Sequence, residues 1–393
     1  MKTITRNCIS CGCQQGQVIP LGKYSVAGVG SVEAKLKICS ACGCLMQDPI
    51  PAPDVMAHYY KFLSNYTNVS NGGRPDSSAV EANRRQLALV RDVLPLGRAY
   101  EIGCASGFML SELKKLGWMV SGCDPSPSAA RVANALWGIQ IQTGQFDDLV
   151  DDLVNNAETV DLVLILHVLE HVYQPVEFLK AAARLLRNSG YLLVEVPCLT
   201  RPEMWGNGYF TFEHINIFSE NTIQRCLSQA GFQTKAIKVD GDTAPYPVVT
   251  VLAEKICNTV PLIVGQDSPR EVVEMVTAYM RTEKSEWLRI NNLLENELVG
   301  IDEVIVWGGG VHTSQLLSNT TALSNVNIKF VIDSDPQKYG LTIGGYEIRG
   351  CGSLNSEDES VVIVISSKAY EDEIYSFLNN QLKVKSKIIR LYK

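Results

Sequence analysis

The stretch that most limits what this chain can become is Ala99–Leu110, AYEIGCASGFML. It reads as a short strand, a turn of small residues and the first turns of a helix. Glu101 closes the strand, and Gly103, Ala105, Ser106 and Gly107 let the backbone pass close to something held at the helix N-terminus. The spacing is not the G-x-G-x-x-G of dinucleotide binders, and an acid just ahead of the turn repels a pyrophosphate. A carboxylate there suits hydroxyls or an ammonium. Trp118–Asp124 (WMVSGCD) predicts the next strand, with Asp124 at its end placed to accept from two ribose hydroxyls. Strand, glycine turn, helix, strand and aspartate make one nucleotide-binding half of a doubly wound α/β fold.

The alternation continues through residues 76–255, which are expected to form one catalytic domain. Glu81–Val93 is helical by period, with Leu87, Val90 and Leu94 on one face. Pro125 and Ser126 open a helix over Ser128–Trp137, Ile139–Gln142 is a third strand, and Val160–Leu166 is a buried parallel strand. That strand runs into His167-Val168-Leu169-Glu170-His171, where Glu170 and His171 read as a helix-start pair with structural hydrogen bonds. Phe178–Leu186 is helical and Gly190–Pro197 is a fifth strand. At Glu101, Gly103 and Asp124 the chain resembles class I methyltransferases that use S-adenosylmethionine. The resemblance implies that Glu101, Gly103, Ala105, Gly107, Asp124 and Pro125 surround that cofactor. It sets Phe146 and Asp147 beside the adenine and His167 under the pocket, touching the ligand through its backbone.

Composition narrows the class. At 393 residues more than one core is expected, and the 46% apolar content is that of an ordinary globular protein. A net charge of −7, with no Lys/Arg cluster, argues against a phosphate-tracking surface, so nucleic acid is not an expected partner. No apolar run approaches the length of a membrane span and the first residues lack the order of a signal peptide; a cytoplasmic protein without membrane contact is expected. Six of the twelve cysteines fall within the first 44 residues. Cys8-x-x-Cys11-Gly12 and Cys39-x-x-Cys42-Gly43 read as two knuckles whose four sulfurs close a tetrahedral, structural Zn²⁺ site. The alternative, a redox pair, does not call for duplication, and Cys13 and Cys44 read as bystanders. Residues 1–75 are thus expected to be a zinc-binding domain followed by a Pro-, Asn- and Tyr-rich loop over the site, in which Tyr59, Tyr60 and Tyr66 are pocket candidates.

Gly206–Ser219, GNGYFTFEHINIFS, follows the fifth strand, where open α/β sheets put their ligands. It sets Glu213 and His214 among phenylalanines, and a histidine beside an acid in apolar surroundings is a candidate general base. The run Glu213-His214-Ile-Asn-Ile-Phe218-Ser219 resembles the Glu-His-x-x-x-Phe-Ser segment of nucleotide-sugar 3-C-methyltransferases. That family also begins with a four-cysteine region and ends with a second Rossmann-like domain. The resemblance implies an NDP-linked 4-keto-deoxysugar as substrate and His214, assisted by Glu213, as the base that removes the proton beside the ketone. The enolate then takes the methyl group, with Tyr66 or Tyr209 donating to its oxygen. The family's tyrosine two residues before the glutamate is Thr211 here. An O- or N-methyltransferase on a related small molecule, a zinc-knuckle nucleic-acid methyltransferase and a non-catalytic scaffold are the rival readings.

After a helical connector over 256–300, with Ser268–Leu294 amphipathic, residues 301–393 read as the second Rossmann-like domain. Val304–Gly310 is a strand and triple-glycine turn, and Ile328–Asp333 a strand ending in acid. The glycine spacing disfavours NAD. The resemblance gives this domain a part in holding the sugar nucleotide, with Gly309 and His312 near its phosphates; an architectural copy is the other reading.

Overall fold

The computed structural model describes residues 2–62, 74–91, 94–156, 159–206, 208–241, 244, 246–256, 265–356 and 361–393. Its centre is a seven-stranded sheet. In chain order we number these strands β1 (Arg98–Ile102), β2 (Met119–Asp124), β3 (Gln142–Thr143), β4 (Val160–Leu166), β5 (Leu186–Pro197), β6 (Phe232–Asp240) and β7 (Val248–Lys255). They lie in the order β6-β7-β5-β4-β1-β2-β3. All pairs are parallel except β7, which runs antiparallel to both β5 and β6. Outward from β1 the sheet therefore grows in both directions, and the reversal leaves a crevice above the C-terminal ends of β1 and β4.

The sequence accounts for the burial. β4 carries Leu162 and Leu164 on one face and Val163 and Ile165 on the other, and all four are buried. Val163 and Ile165 pack with Phe146, Phe178, Leu179, Ile223 and Leu227, while Leu162 and Leu164 pack with Met109, Leu113 and Leu252. A strand covered on both faces needs a continuous apolar run, which VDLVLIL nearly supplies. The helix ahead of β1 begins at Ser77 rather than Glu81, because Asp76 Oδ1 accepts the backbone N–H of Ala79 at 2.8 Å. The third strand is shorter than expected, and Pro53–Phe62, read as part of a loop, is a helix with Pro53 at its start and Asp54 in its first turn.

The N-terminal sheet has the strand order Asn216–Ile217, Leu45–Gln47, Gly30–Cys39, Gly16–Val26, all antiparallel. Its edge strand Asn216–Ile217 thus belongs by sequence to the central domain. The C-terminal sheet has six strands around Glu303–Trp307, which pairs in parallel with Asn327–Ile332 and Val362–Ile365. The helix Pro269–Glu297, capped by Ser268, joins the modules: Val272 and Val276 pack on Leu36, Ile38 and Leu45, and Trp287, Ile290 and Leu294 on the C-terminal core. Among the described residues no helix is long and apolar enough to cross a membrane.

Candidate active site

The turn after β1 is built by backbone geometry. Gly103 and Gly107 both have φ of 73°, a region that costs a side-chain-bearing residue energy, and Ala105 between them has φ of 44°. A Cβ on Gly103 would lie 2.5 Å from Val168 Cγ2. Asp124, at the end of β2, clamps the turn: Oδ2 accepts from Ala105 N and Oδ1 from Ser126 N, each at 2.8 Å. Burial pushes the Asp124 carboxyl up, against those two bonds. Glu101 is 4% exposed, and burial followed by the nearby Asp124 charge raises its carboxyl well above the ordinary range. Its Oε2 is buried with no hydrogen-bond partner among the described residues, an orphan that a ligand's donor would satisfy. These residues fit the S-adenosylmethionine expected from the sequence. Of the pair expected beside the adenine, Phe146 is 4% exposed and packs edge-on against Phe178 in the core; Asp147 is exposed.

Across the crevice, β4 ends in His167, which has φ of 54° and starts a turn containing a short 3-10 segment, Leu169–His171. The backbone N–H of His167 donates to the Glu195 carbonyl at 2.9 Å, so the contact expected through the backbone is engaged within the fold. The ring sits 3.2 Å from Glu195 Oε1 and 3.5 Å from Glu170 Oε1. Burial opposes its imidazolium, but Tyr246 and the carboxylates of Glu170 and Glu195 override that and raise its pKa well above the ordinary value.

The structure separates the expected dyad. The chain bends at Glu213 and turns tightly through His214, where the Ile215 N–H donates to the Glu213 carbonyl at 3.0 Å, and the Glu213 side chain accepts from the Tyr59 hydroxyl. Burial raises the Glu213 carboxyl. His214 instead joins Glu170 and His171, and one ligand atom from each lies within 4.8 Å of the others. The His171 and His214 ring centres are 5.1 Å apart. Burial depresses the His214 pKa to about 4, with Glu170 opposing and His171 and His167 adding to the fall. At neutral pH it is a neutral imidazole, able to take a proton. Burial pushes Glu170 up, but His167 and His171 outweigh it and hold the carboxyl down to about 2.

Both loops are fixed from outside. Asn216 Nδ2 donates to the carbonyls of Leu169 at 2.9 Å and Val172 at 2.7 Å, and its Oδ1 accepts from Arg6 at 2.8 Å. Gln47 donates to the carbonyls of Thr211 and His214. Tyr60, from the helix Pro53–Phe62, places its hydroxyl 2.9 Å from His171 Nδ1. Tyr209 stacks on Trp205 and donates to the Cys198 carbonyl at 2.6 Å, so its hydroxyl is already engaged. Tyr66 lies outside the described residues. Sequence reading missed Glu195 and Tyr246, and it read Glu170 as structural. The i, i+3, i+4 spacing of His167, Glu170 and His171 was the available signal, since it sets all three on one turn.

Cys8, Cys11, Cys39 and Cys42 converge, with Sγ separations of 3.6 Å for Cys8–Cys42 and for Cys11–Cys39. Tetrahedral bonds of about 2.3 Å put neighbouring sulfurs about 3.8 Å apart, so the set fits one such ion. Gly12 and Gly43 take φ of 74° and 69° in matching turns. In the C-terminal domain the aspartate clamp recurs: Asp333 accepts from Gly309 N and Asp335 N, each at 2.8 Å. His312 lies 2.9 Å from Ser366 Oγ, beside Trp287 and Tyr392, so both residues expected near phosphates bond within the domain. A cavity of about 710 Å³ opens between the helix Pro269–Glu297, the N-terminal hairpin and the helix Val311–Asn319; Lys23, Arg281 and Lys284 line it with Tyr24 and Trp287.

Residues 58–237 match the model of a methyltransferase domain, and residues 301–385 that of a CoA binding domain. The ubiquinone biosynthesis O-methyltransferase of Xanthomonas oryzae pv. oryzae (strain PXO99A) is 31% identical over 135 residues, which are 34% of this chain and 56% of that protein. Its counterpart in Xanthomonas campestris pv. campestris (strain B100) is 27% identical over the same shares. The chain thus spans about half the length of these curated relatives. Among solved structures, Burkholderia thailandensis 1,6-didemethyltoxoflavin-N1-methyltransferase, with bound S-adenosylhomocysteine, is 17% identical. The match covers 57% of this chain and 96% of that one, with a TM-score of 0.42. The chain carries a class I methyltransferase domain and a second α/β domain.

Proposed function

We propose that this chain methylates a carbon of an NDP-linked 4-keto-deoxysugar, with His214 as the base. The observation that carries the reading is His214 itself: a half-buried imidazole, neutral at pH 7, clustered with the Glu170 carboxylate on the turn that follows β4. S-adenosylmethionine, when bound, supplies a methyl group on a sulfonium, which an electron-rich atom takes directly. A carbon becomes electron-rich only after losing a proton beside a carbonyl, and His214 takes that proton. Glu170 then faces an imidazolium rather than a neutral ring, which favours proton transfer. Tyr60 and Tyr246 are hydroxyls at the cluster that can donate to the developing enolate oxygen. Lys23, Arg281 and Lys284 outnumber Glu283, the one acid among the described residues that line the cavity, and leave it a net positive charge that suits a diphosphate. The four cysteines are read as a closed Zn²⁺ site that orders the N-terminal module and does no chemistry.

The relatives' names favour a second reading, methylation of an oxygen, in which His214 takes a hydroxyl proton. One experiment separates the two. The protein is incubated with S-adenosylmethionine and a panel of NDP-4-keto-6-deoxysugars in deuterium oxide and followed by proton NMR. Exchange beside the ketone with a new C-methyl singlet supports carbon alkylation. A methoxy signal without exchange replaces it with the oxygen reading, and no reaction with any sugar removes the sugar substrate.

A further inference from the structure

We propose that Glu170, His171 and His214 form a second metal site, chemically distinct from the four cysteines, that takes a borderline divalent ion such as Zn²⁺ or Co²⁺. The three come from two separate segments, yet one ligand atom of each lies within 4.8 Å of the others. Two imidazoles and a carboxylate are a donor set for such ions, with positions left open for water.

Two independent observations point to a ligand there. Glu170 is 1% exposed, and its Oε2 is buried without a hydrogen-bond partner among the described residues. An orphaned carboxylate oxygen in that setting carries a large desolvation cost, which a cation relieves. The second is the orientation of His171. Its Nδ1 lies 3.0 Å from the Glu213 carbonyl oxygen, which can only accept, and 2.9 Å from the Tyr60 hydroxyl, so the tautomer with the proton on Nδ1 is the one that satisfies the carbonyl. In that tautomer the lone pair is on Nε2, the nitrogen 3.9 Å from Glu170 Oε1. A ring N–H anchored on a carbonyl while the other nitrogen faces the ion is the usual support of a metal-binding histidine. The segments are also rigidly related, since Asn216 bonds the carbonyls of Leu169 and Val172 and so holds the 3-10 turn against the chain after His214.

The consequence rests on the proposed function. A metal on His214 occupies the lone pair that takes the substrate proton, so the ion acts as an inhibitor of the transfer rather than as its cofactor.

The test is a Co²⁺ titration of the full chain, its cysteine site already filled with zinc, followed by visible absorption. The expected result is one further equivalent with d–d bands but no thiolate charge transfer, bound at least about tenfold more weakly in Glu170→Gln and in His214→Asn. Absence of such bands, or binding that both variants leave unchanged, overturns the site. If either variant does not fold, ¹¹³Cd NMR of the unaltered protein decides: a nitrogen/oxygen-ligated resonance beside the sulfur-ligated one supports the site, and a sulfur-ligated resonance alone overturns it. Where the sugar reaction is observed, half-inhibition should fall at the Co²⁺ concentration that half-fills the site. If no sugar reacts but the site fills, the metal site stands and only the reading of the reaction falls.

Discussion

The proposed reaction rests on His214, and its replacement is the sharpest residue-level prediction. His214→Ala should lower turnover by roughly a thousandfold, within the range of general-base losses, while the dissociation constant for S-adenosylmethionine stays within about twofold. A variant with near-native turnover removes the base assignment. Glu195 makes a prediction about pH. It is fully buried and meets Arg85 at 2.9 Å, Gln86 at 2.7 Å, His167 at 3.2 Å and Thr250 at 2.5 Å. Burial raises its carboxyl, but His167 and Arg85 outweigh this and bring the pKa from 4.5 to about 2. A folded pKa below the unfolded one means stability that is complete above the unfolded value and lost as pH falls from about 4.5 toward about 2. Urea midpoints measured across that window should therefore drop, and Glu195→Gln should flatten the drop. At pH 7 the same variant should cost about 3–5 kcal/mol, because it leaves Arg85 buried beside a neutral amide.

At the scale of elements, the β1 turn was legible because its requirements are local. A left-handed backbone at residues 103 and 107 needs glycine whatever the rest of the chain does, and the sequence has glycine at both. Gly103→Ala should destabilise the fold by about 2–4 kcal/mol, combining positive-φ strain with the Val168 clash. It should also weaken S-adenosylmethionine binding at least tenfold by calorimetry. Adding Val168→Ala should restore part of the stability and expose the coupling. The pairing of Glu213 with His214 was misread at this scale. Adjacency in sequence suggests a dyad, but the chain bends at Glu213 and turns tightly through His214, so Glu213 meets Tyr59 and His214 meets Glu170. Tyr209 looked available as a donor until its hydroxyl proved to be bonded to the Cys198 carbonyl.

Across the whole molecule, the N-terminal module holds the segment that carries the proposed base. Its strand Leu45–Gln47 follows directly on the second cysteine knuckle, pairs with Asn216–Ile217, and Gln47 holds the carbonyl of His214 at 2.9 Å. With the cysteines loaded as proposed, stripping their metal should therefore lower turnover and melting temperature together, a joint loss that a single restored equivalent of Zn²⁺, taken by the four thiolates, reverses. A chelator-treated protein with unchanged turnover would separate module from site. Gln47→Ala should cut turnover about tenfold with little effect on S-adenosylmethionine affinity, because Gln47 bonds the base loop and not the β1 turn.

The sequence by itself determined the parts whose physics is short-range. The glycine turn and its two acids, the apolar run of β4 and the paired cysteine knuckles each rest on a few neighbouring residues, and each is present as read. Only the tertiary structure decided which groups share the site. His167, Glu170 and His171 lie some forty residues from His214, and Gln47 and Tyr60 come from more than a hundred residues before it. A buried charge seeks its partner through space, and chain folding alone fixes which distant side chains are there when water is excluded.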